Sequence, residues 1–232
     1  MVYSAQEFYD SIKNAKNNID TNRTIQAIYK YVIYFSFFDI LGKYVFPKEK
    51  SLCERYKKLI NCYSNWKYKN YISSLQLECI LKQVNENLRE IIKLKINKKS
   101  LTYNNYFNKV VTADEVDFTE EEIKEDLNNS QLELYKKDLK IICQARYDNL
   151  FYKLRCFVVH NLTLPTPNAL NFDENSEVPL YFCFSNEYRL WFSPKIISLV
   201  LEECIENSKK DITHNLEDIF ELIPKCWIGK KN

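Results

Sequence analysis

The chain has 232 residues, 46% of them apolar and 28% charged, with a formal net charge of +2 and only two glycines. That balance excludes a disordered chain, and the near-neutral charge excludes a protein whose whole surface attracts nucleic acid, leaving local patches alone for that role. Gly42 and Gly229 cannot by themselves write a P-loop or a dinucleotide-binding fingerprint, and a chain so poor in glycine reads as mainly helical.

Eight cysteines, at 53, 62, 79, 143, 156, 183, 204 and 226, stand singly with no C-x-x-C pair. The start, MVYSAQEFYDSIKN, is polar and charged rather than a secretory leader. The cysteines therefore read as reduced thiols of a cytoplasmic protein, some of them acting as small core hydrophobes. No metal set and no cofactor are expected. The most apolar run, YVIYFSFFDILG at 31–42, is broken by Asp39. It falls short of the roughly 18–20 residues that cross a bilayer, so no membrane partner is expected.

In chain order, the first clear helical pattern covers about 22–42, with Ile25, Ile28, Tyr29, Val32, Ser36 and Ile40 at three-four spacing, ended by Gly42 and Pro47. A second helix is predicted over 51–68 from a Ser51 cap. A third is predicted over 72–96, with Leu75, Cys79, Ile80, Val84, Leu88, Ile91 and Ile92 in phase. Residues 97–130 read as a solvated connector that passes from basic (KINKKS) to acidic (DEVDFTEEEIKED). A long fourth helix is predicted over 131–161, stopped by Pro165 and Pro167. The texture then changes. VPLYFCFSNEYRLWF at 178–192 alternates around Ser185-Asn186-Glu187 and predicts a hairpin, with Leu180, Phe182 and Phe184 on a face matched by Tyr188, Leu190 and Phe192. Ser193-Pro194 opens a helix through about 207, and a short helix near 215–223 closes the chain. The expected architecture is one mainly α domain over 1–232, a helical bundle with a small β-hairpin insert.

The fourth helix carries FYKLRCFVVHN at 151–161. On a wheel at 100° per residue, Tyr147, Leu150, Phe151, Leu154, Phe157 and Val158 form the core arc. Arg155 lies about a quarter turn from its centre, and His160 lies on the far side with Tyr152, Cys156 and Val159 between and beside them. A helix that is apolar on two faces calls for a second layer or a second subunit. A guanidinium matches phosphate oxygens, and an imidazole exchanges protons near neutrality. Beside an RNA backbone the two would activate a ribose 2′-hydroxyl and stabilise the charge that grows on the phosphate, without a metal. The competing reading is structural: Arg155 pairs with Asp148, seven residues back, and His160 sits as a favourable cation at the helix C-terminus. Tyr63, Trp66, Tyr68 and Tyr71, interleaved with Lys67 and Lys69, offer a second nucleic-acid feature if their rings are free to stack on bases.

LFYKLRCFVVHN, with four residues between its arginine and its histidine, resembles the motif helix of the HEPN superfamily. The aromatic early helix (YKYVIYFSFFDILGK) and the hairpin followed by WFSPKIISLVLEECIEN are similar to features of its bacterial members. The resemblance implies a HEPN-like bundle that dimerises through the 147–161 helix. Its catalytic members are metal-independent endoribonucleases, often toxins or antiviral effectors, that leave a 2′,3′-cyclic phosphate, so an antitoxin or sensor protein is an expected partner beside the RNA substrate. Arg155 would bind the scissile phosphate and His160 would serve as general acid/base, supported by Tyr152, Cys156 and Asn161. Cys156 stands where the family usually has Asn, Asp or His. Some members of the family serve instead as non-catalytic modules that bind a nucleotide, a nucleic acid or a protein.

Overall fold

The computed structural model describes residues 5–99, 111–129, 136–162, 174–184 and 187–209. Helices dominate it, and its strands are few and short. The chain falls into two compact units, one of residues 1–65 and 198–232, the other of residues 66–197.

The first unit begins with α1 (Ala5–Thr21), a helix that lies ahead of the first predicted pattern. Its buried stripe is Tyr9, Ile12 and Lys16, so a lysine occupies a core position. Lys16 Nζ is satisfied there by Asp20 at 2.8 Å and Glu202 at 2.9 Å. Asp20 also accepts from the Tyr34 hydroxyl at 2.5 Å and from Ser198 Oγ. Burial alone would push the Asp20 carboxyl up, but Lys16, Tyr34 and Ser198 outweigh it and hold the group below its ordinary value.

The helix predicted from 22 starts later, as α2 (Ala27–Val45). Asn22 explains the delay: its Oδ1 accepts from the Thr24 N–H at 2.9 Å and from the Thr24 hydroxyl at 2.7 Å, a local turn that competes with helix. Gly42 lies inside α2 rather than beyond it, where a Cβ would stand 3.0 Å from Leu59 Cδ1. It permits close approach of α3 (Leu52–Tyr63), which Ser51 caps by accepting from the Glu54 N–H. That helix stops short of the predicted residue 68. Ser64, at its C-cap, turns its hydroxyl back onto the Ile60 carbonyl at 2.8 Å.

In the second unit the predicted third helix is two. Asn85 ends α4 (Ser74–Val84) by donating its N–H to the Leu81 carbonyl, and its Oδ1 accepts from the Leu88 N–H to open α5 (Glu86–Lys99). The predicted fourth helix is likewise two, α8 (Lys136–Gln144) and α9 (Tyr147–Asn161). Ala145 and Arg146 separate them: Arg146 lies in a β-bridge with Ile72, and Ala145 O accepts from the Ser73 N–H at 2.9 Å. That carbonyl is used sideways and does not continue a helical ladder.

The segment expected to be a connector is structured over 111–129. It supplies β2 (Val111–Thr112), α6 (Ala113–Val116), β3 (Phe118–Thr119) and α7 (Glu120–Asn129). β3 pairs with β1 (Tyr71–Ile72). β2 joins the hairpin of β4 (Leu180–Phe184) and β5 (Glu187–Trp191) in the order β2-β4-β5. The hairpin is where the sequence predicts it, but its facing pairs differ. Phe184 stands opposite Glu187, so Leu180 faces Trp191 and Tyr181 faces Leu190; Leu180 and Phe182 do not share a side with Leu190. One residue of register exchanges the two faces, and here both faces carry buried residues, so alternation alone could not choose between them. Ser193 then caps α10 (Pro194–Ser208) through the Ile196 N–H at 3.1 Å. The predicted stripe of Ile196, Ile197, Val200, Leu201, Cys204 and Ile205 is buried throughout. The helix expected near 215–223 lies outside the described residues.

Candidate functional site

α9 belongs to the second unit, and aromatic rings hold its core face. Trp66 lies against Tyr147 and Phe151, with ring centroids 6.2 and 5.7 Å apart, and Phe192 closes on both α9 rings at 5.3 and 5.9 Å. Trp66 and Tyr68 are therefore core residues, and the expectation that they stack on bases is corrected. Tyr68 donates its hydroxyl to Asp114 at 2.7 Å, and Lys67 Nζ lies 4.4 Å from its ring centre. Other lysines are engaged by acids, Lys57 by Glu54, Lys58 by Glu49 and Lys93 by Glu90.

The start of α9 is fixed by charge. Arg146, at its N-cap, grips Asp148 through Nε–Oδ1 at 2.8 Å and Nη2–Oδ2 at 2.6 Å, and reaches Glu120 at 3.3 Å. Asp148 is fully buried. Its hydrogen bond raises the Arg146 guanidinium above the ordinary arginine range against the opposing effect of burial. The partner seen on both Asp148 oxygens is thus the adjacent Arg146.

The buried residues of α9 are Tyr147, Asp148, Leu150, Phe151 and Val158. Leu154 is half-buried, and Phe157, expected in the core, is 41% exposed. The wheel supplies the reason. From the centre of the buried arc Phe157 stands about 100° away, whereas Arg155 stands only about 60° away. Arg155 thus lies on the polar shoulder of the core beside Asp148, half-buried, with its Nε shielded from solvent.

Tyr152, Cys156 and Val159 are half-buried and form a strip down the next part of the helix. His160 lies beyond that strip, exposed, in the last turn. Five residues on a helix turn by about 140°, so Arg155 and His160 sit on opposite borders of the strip rather than side by side. Asn161 is exposed and donates Nδ2 to the Phe157 carbonyl at 2.9 Å, closing the helix end. Leu162 follows at φ 50°, a left-handed residue of the kind that ends helices.

One cluster escaped the sequence reading. Asp117, between α6 and β3, is fully buried. It accepts from the hydroxyl of Tyr147, from the Tyr181 hydroxyl at 2.7 Å, and from the N–H and hydroxyl of Ser74, both at 2.9 Å. Burial pushes its carboxyl up to about 6, and these donors counteract that only in part. The one local sign was Val116 and Phe118 on either side of an aspartate in an otherwise solvated run.

Among the described residues, no group of three or more His, Cys, Asp or Glu side chains is placed to hold a metal ion, and no helix is long and apolar enough to cross a membrane. Comparison with protein-family models, with curated proteins and with solved structures found no match to the chain.

Proposed function

We propose that the protein is a metal-independent endoribonuclease of HEPN type, a helical bundle with the hairpin as its insert, acting as a toxin or antiviral effector. The observation that supports this most is the layout of α9: a permanent cation and an imidazole border a strip of Tyr152, Cys156 and Val159 that the unit itself leaves partly uncovered. Because about 140° separates Arg155 from His160, one helix does not close both on one phosphate. A second copy packed on the strip would bring another Arg155 and another His160 to the same borders, which fits a two-fold dimer.

In the proposed reaction Arg155 binds the scissile phosphate and offsets the charge that develops on it. His160 takes the proton from the attacking 2′-oxygen, and an imidazolium returns a proton to the departing 5′-oxygen. The product is a 2′,3′-cyclic phosphate, and no metal takes part in either step. Incubation of purified protein with mixed RNA in excess chelator tests the reading. New fragments ending in cyclic phosphate are the expected result, and intact RNA would contradict it.

A second reading rests on Cys156. A thiol follows Arg155 where the resembling family has a polar side chain, which favours a non-catalytic module that binds RNA, a nucleotide or a protein through the same strip. Binding of RNA without cleavage would support it.

A further inference from the structure

A carboxylate needs a strong reason to be fully buried, and Asp117 has no catalytic role in the reaction proposed above. Its donors come from three separate elements. Ser74, in the first turn of α4, gives an N–H and a hydroxyl to Oδ1. Tyr147, the first residue of α9, and Tyr181, on β4, both give hydroxyls to Oδ2. Ser73 in turn shares a hydrogen bond of 2.7 Å with the Tyr181 hydroxyl. One carboxylate therefore holds the N-terminal ends of α4 and α9 and the start of β4 at a single point. We propose that Asp117 is a positioning residue that acts as a proton-sensitive latch: the ionised carboxylate fixes the N-terminal end of α9 to α4 and β4, and protonation changes that anchorage and so the setting of the helix that carries Arg155 and His160.

The hydrogen-bond chemistry supports the latch. An ionised carboxylate only accepts, and every contact named here donates to it. A protonated one must itself donate, so one of the hydroxyls has to reverse its role while the Ser74 N–H cannot. Two titratable groups meet Asp117 directly, Tyr147 from α9 and Tyr181 from β4. Burial raises both phenols well above their ordinary range, so they stay neutral across the range where Asp117 changes. Charged neighbours along the same elements are engaged elsewhere. Arg146 is held by Asp148 and Glu120, Asp114 by Lys67, Tyr68 and Tyr71, and Glu115 by the Thr112 N–H. The carboxyl titrates near 6 rather than 3.8, which puts the event close to neutrality.

The latch itself stands without the ribonuclease reading, and only its consequence for RNA rests on it. Two measurements on the intact chain test it, and neither uses RNA. In the first, carbon-13 NMR follows the Asp117 carboxyl while amide shifts of residues 147–161 are recorded from pH 7.5 to 5. The carboxyl and the first turns of α9 should move with one midpoint near 6. In Tyr147→Phe the carboxyl should still titrate while the α9 amides no longer follow. Amides of α9 that ignore the carboxyl in the wild-type protein, or follow it equally in Tyr147→Phe, would overturn the proposal.

The second measurement is stability. A carboxyl raised in the folded state adds stability that is complete below the unfolded value near 4 and is lost as pH rises through about 6. Acidification from pH 7.5 to 5 should therefore increase the wild-type folding constant about tenfold more than that of Asp117→Asn. Equal responses would contradict a titrating Asp117. If Asp117→Asn does not fold, the Tyr147→Phe comparison decides alone.

Discussion

Arg146 and Asp148 form a two-pronged ion pair at the mouth of α9, with N···O distances of 2.8 and 2.6 Å, and the carboxylate lies wholly inside the protein. The pair fixes the N-cap residue of α9 to the buried first turn of that helix. Removing the cation strands a buried charge, which typically costs about 3–5 kcal/mol. Arg146 keeps some access to water, so Arg146→Ala is expected near the lower figure. Asp148→Asn should cost less, because it removes the charge that would be stranded. Urea melts of the two variants check the order, and equal losses would contradict it.

In the first unit the asymmetry runs the other way. Lys16 has a side chain only 2% exposed, while its partners Asp20 and Glu202 retain 31% and 43%. Lys16→Met leaves two acids that water can reach, at an expected cost of about 1–2 kcal/mol. Asp20→Ala leaves a buried ammonium with one exposed partner and an unsatisfied Tyr34 hydroxyl, and should cost more, about 3 kcal/mol. The Asp20 carboxyl is held below its ordinary value, so its contribution is present above about pH 4 and is lost as pH falls below that. Acid melts of the wild type and Asp20→Asn should therefore converge at low pH.

Lys16 also shows what sequence could and could not reveal. α1 repeats every three to four residues, but with a lysine in the stripe, and its burial depends on Glu202, 186 residues away. The breaks at Asn85 and at Ala145–Arg146 were hidden for a similar reason. Apolar spacing runs straight through both, and the interruptions come from Asn85, whose N–H closes α4 while its side chain caps α5, and from the Ala145 carbonyl, which accepts from the Ser73 N–H. The stretches that read correctly, the start of α3, the Ser193-Pro194 entry to α10 and its buried stripe, are those where local capping and spacing agree with the packing. At the candidate site the strip of Tyr152, Cys156 and Val159 was legible from the wheel. The exposure of Phe157 and the shoulder position of Arg155 were not, because they depend on where Asp148 and the aromatic cluster set the centre of the core.

That strip predicts assembly. Val159 is half-buried on the strip between Arg155 and His160, nearer Arg155 around the helix. A glutamate there would place a charge against its own symmetry copy. The wild-type protein should run as a dimer in light scattering at micromolar concentration, and Val159→Glu as a monomer with a near-native circular dichroism spectrum. A wild-type monomer would leave the strip without the proposed occupant.

If the two borders of the strip act on RNA, His160 shows it most cleanly. Its side chain is exposed, so His160→Ala should leave the melting temperature unchanged. Arg155→Ala, on the shoulder of the core, should lower it by an amount equivalent to about 1 kcal/mol. The direct measurement is single-turnover cleavage of RNA in excess chelator by wild type and His160→Ala, with melting temperatures taken on the same samples. Expected are cleavage by the wild type, no cleavage of matching DNA, and a loss of roughly 10²–10⁴ in rate for His160→Ala at an unchanged melting temperature. Equal rates for the two proteins, or intact RNA with a folded, dimeric wild type, would contradict this.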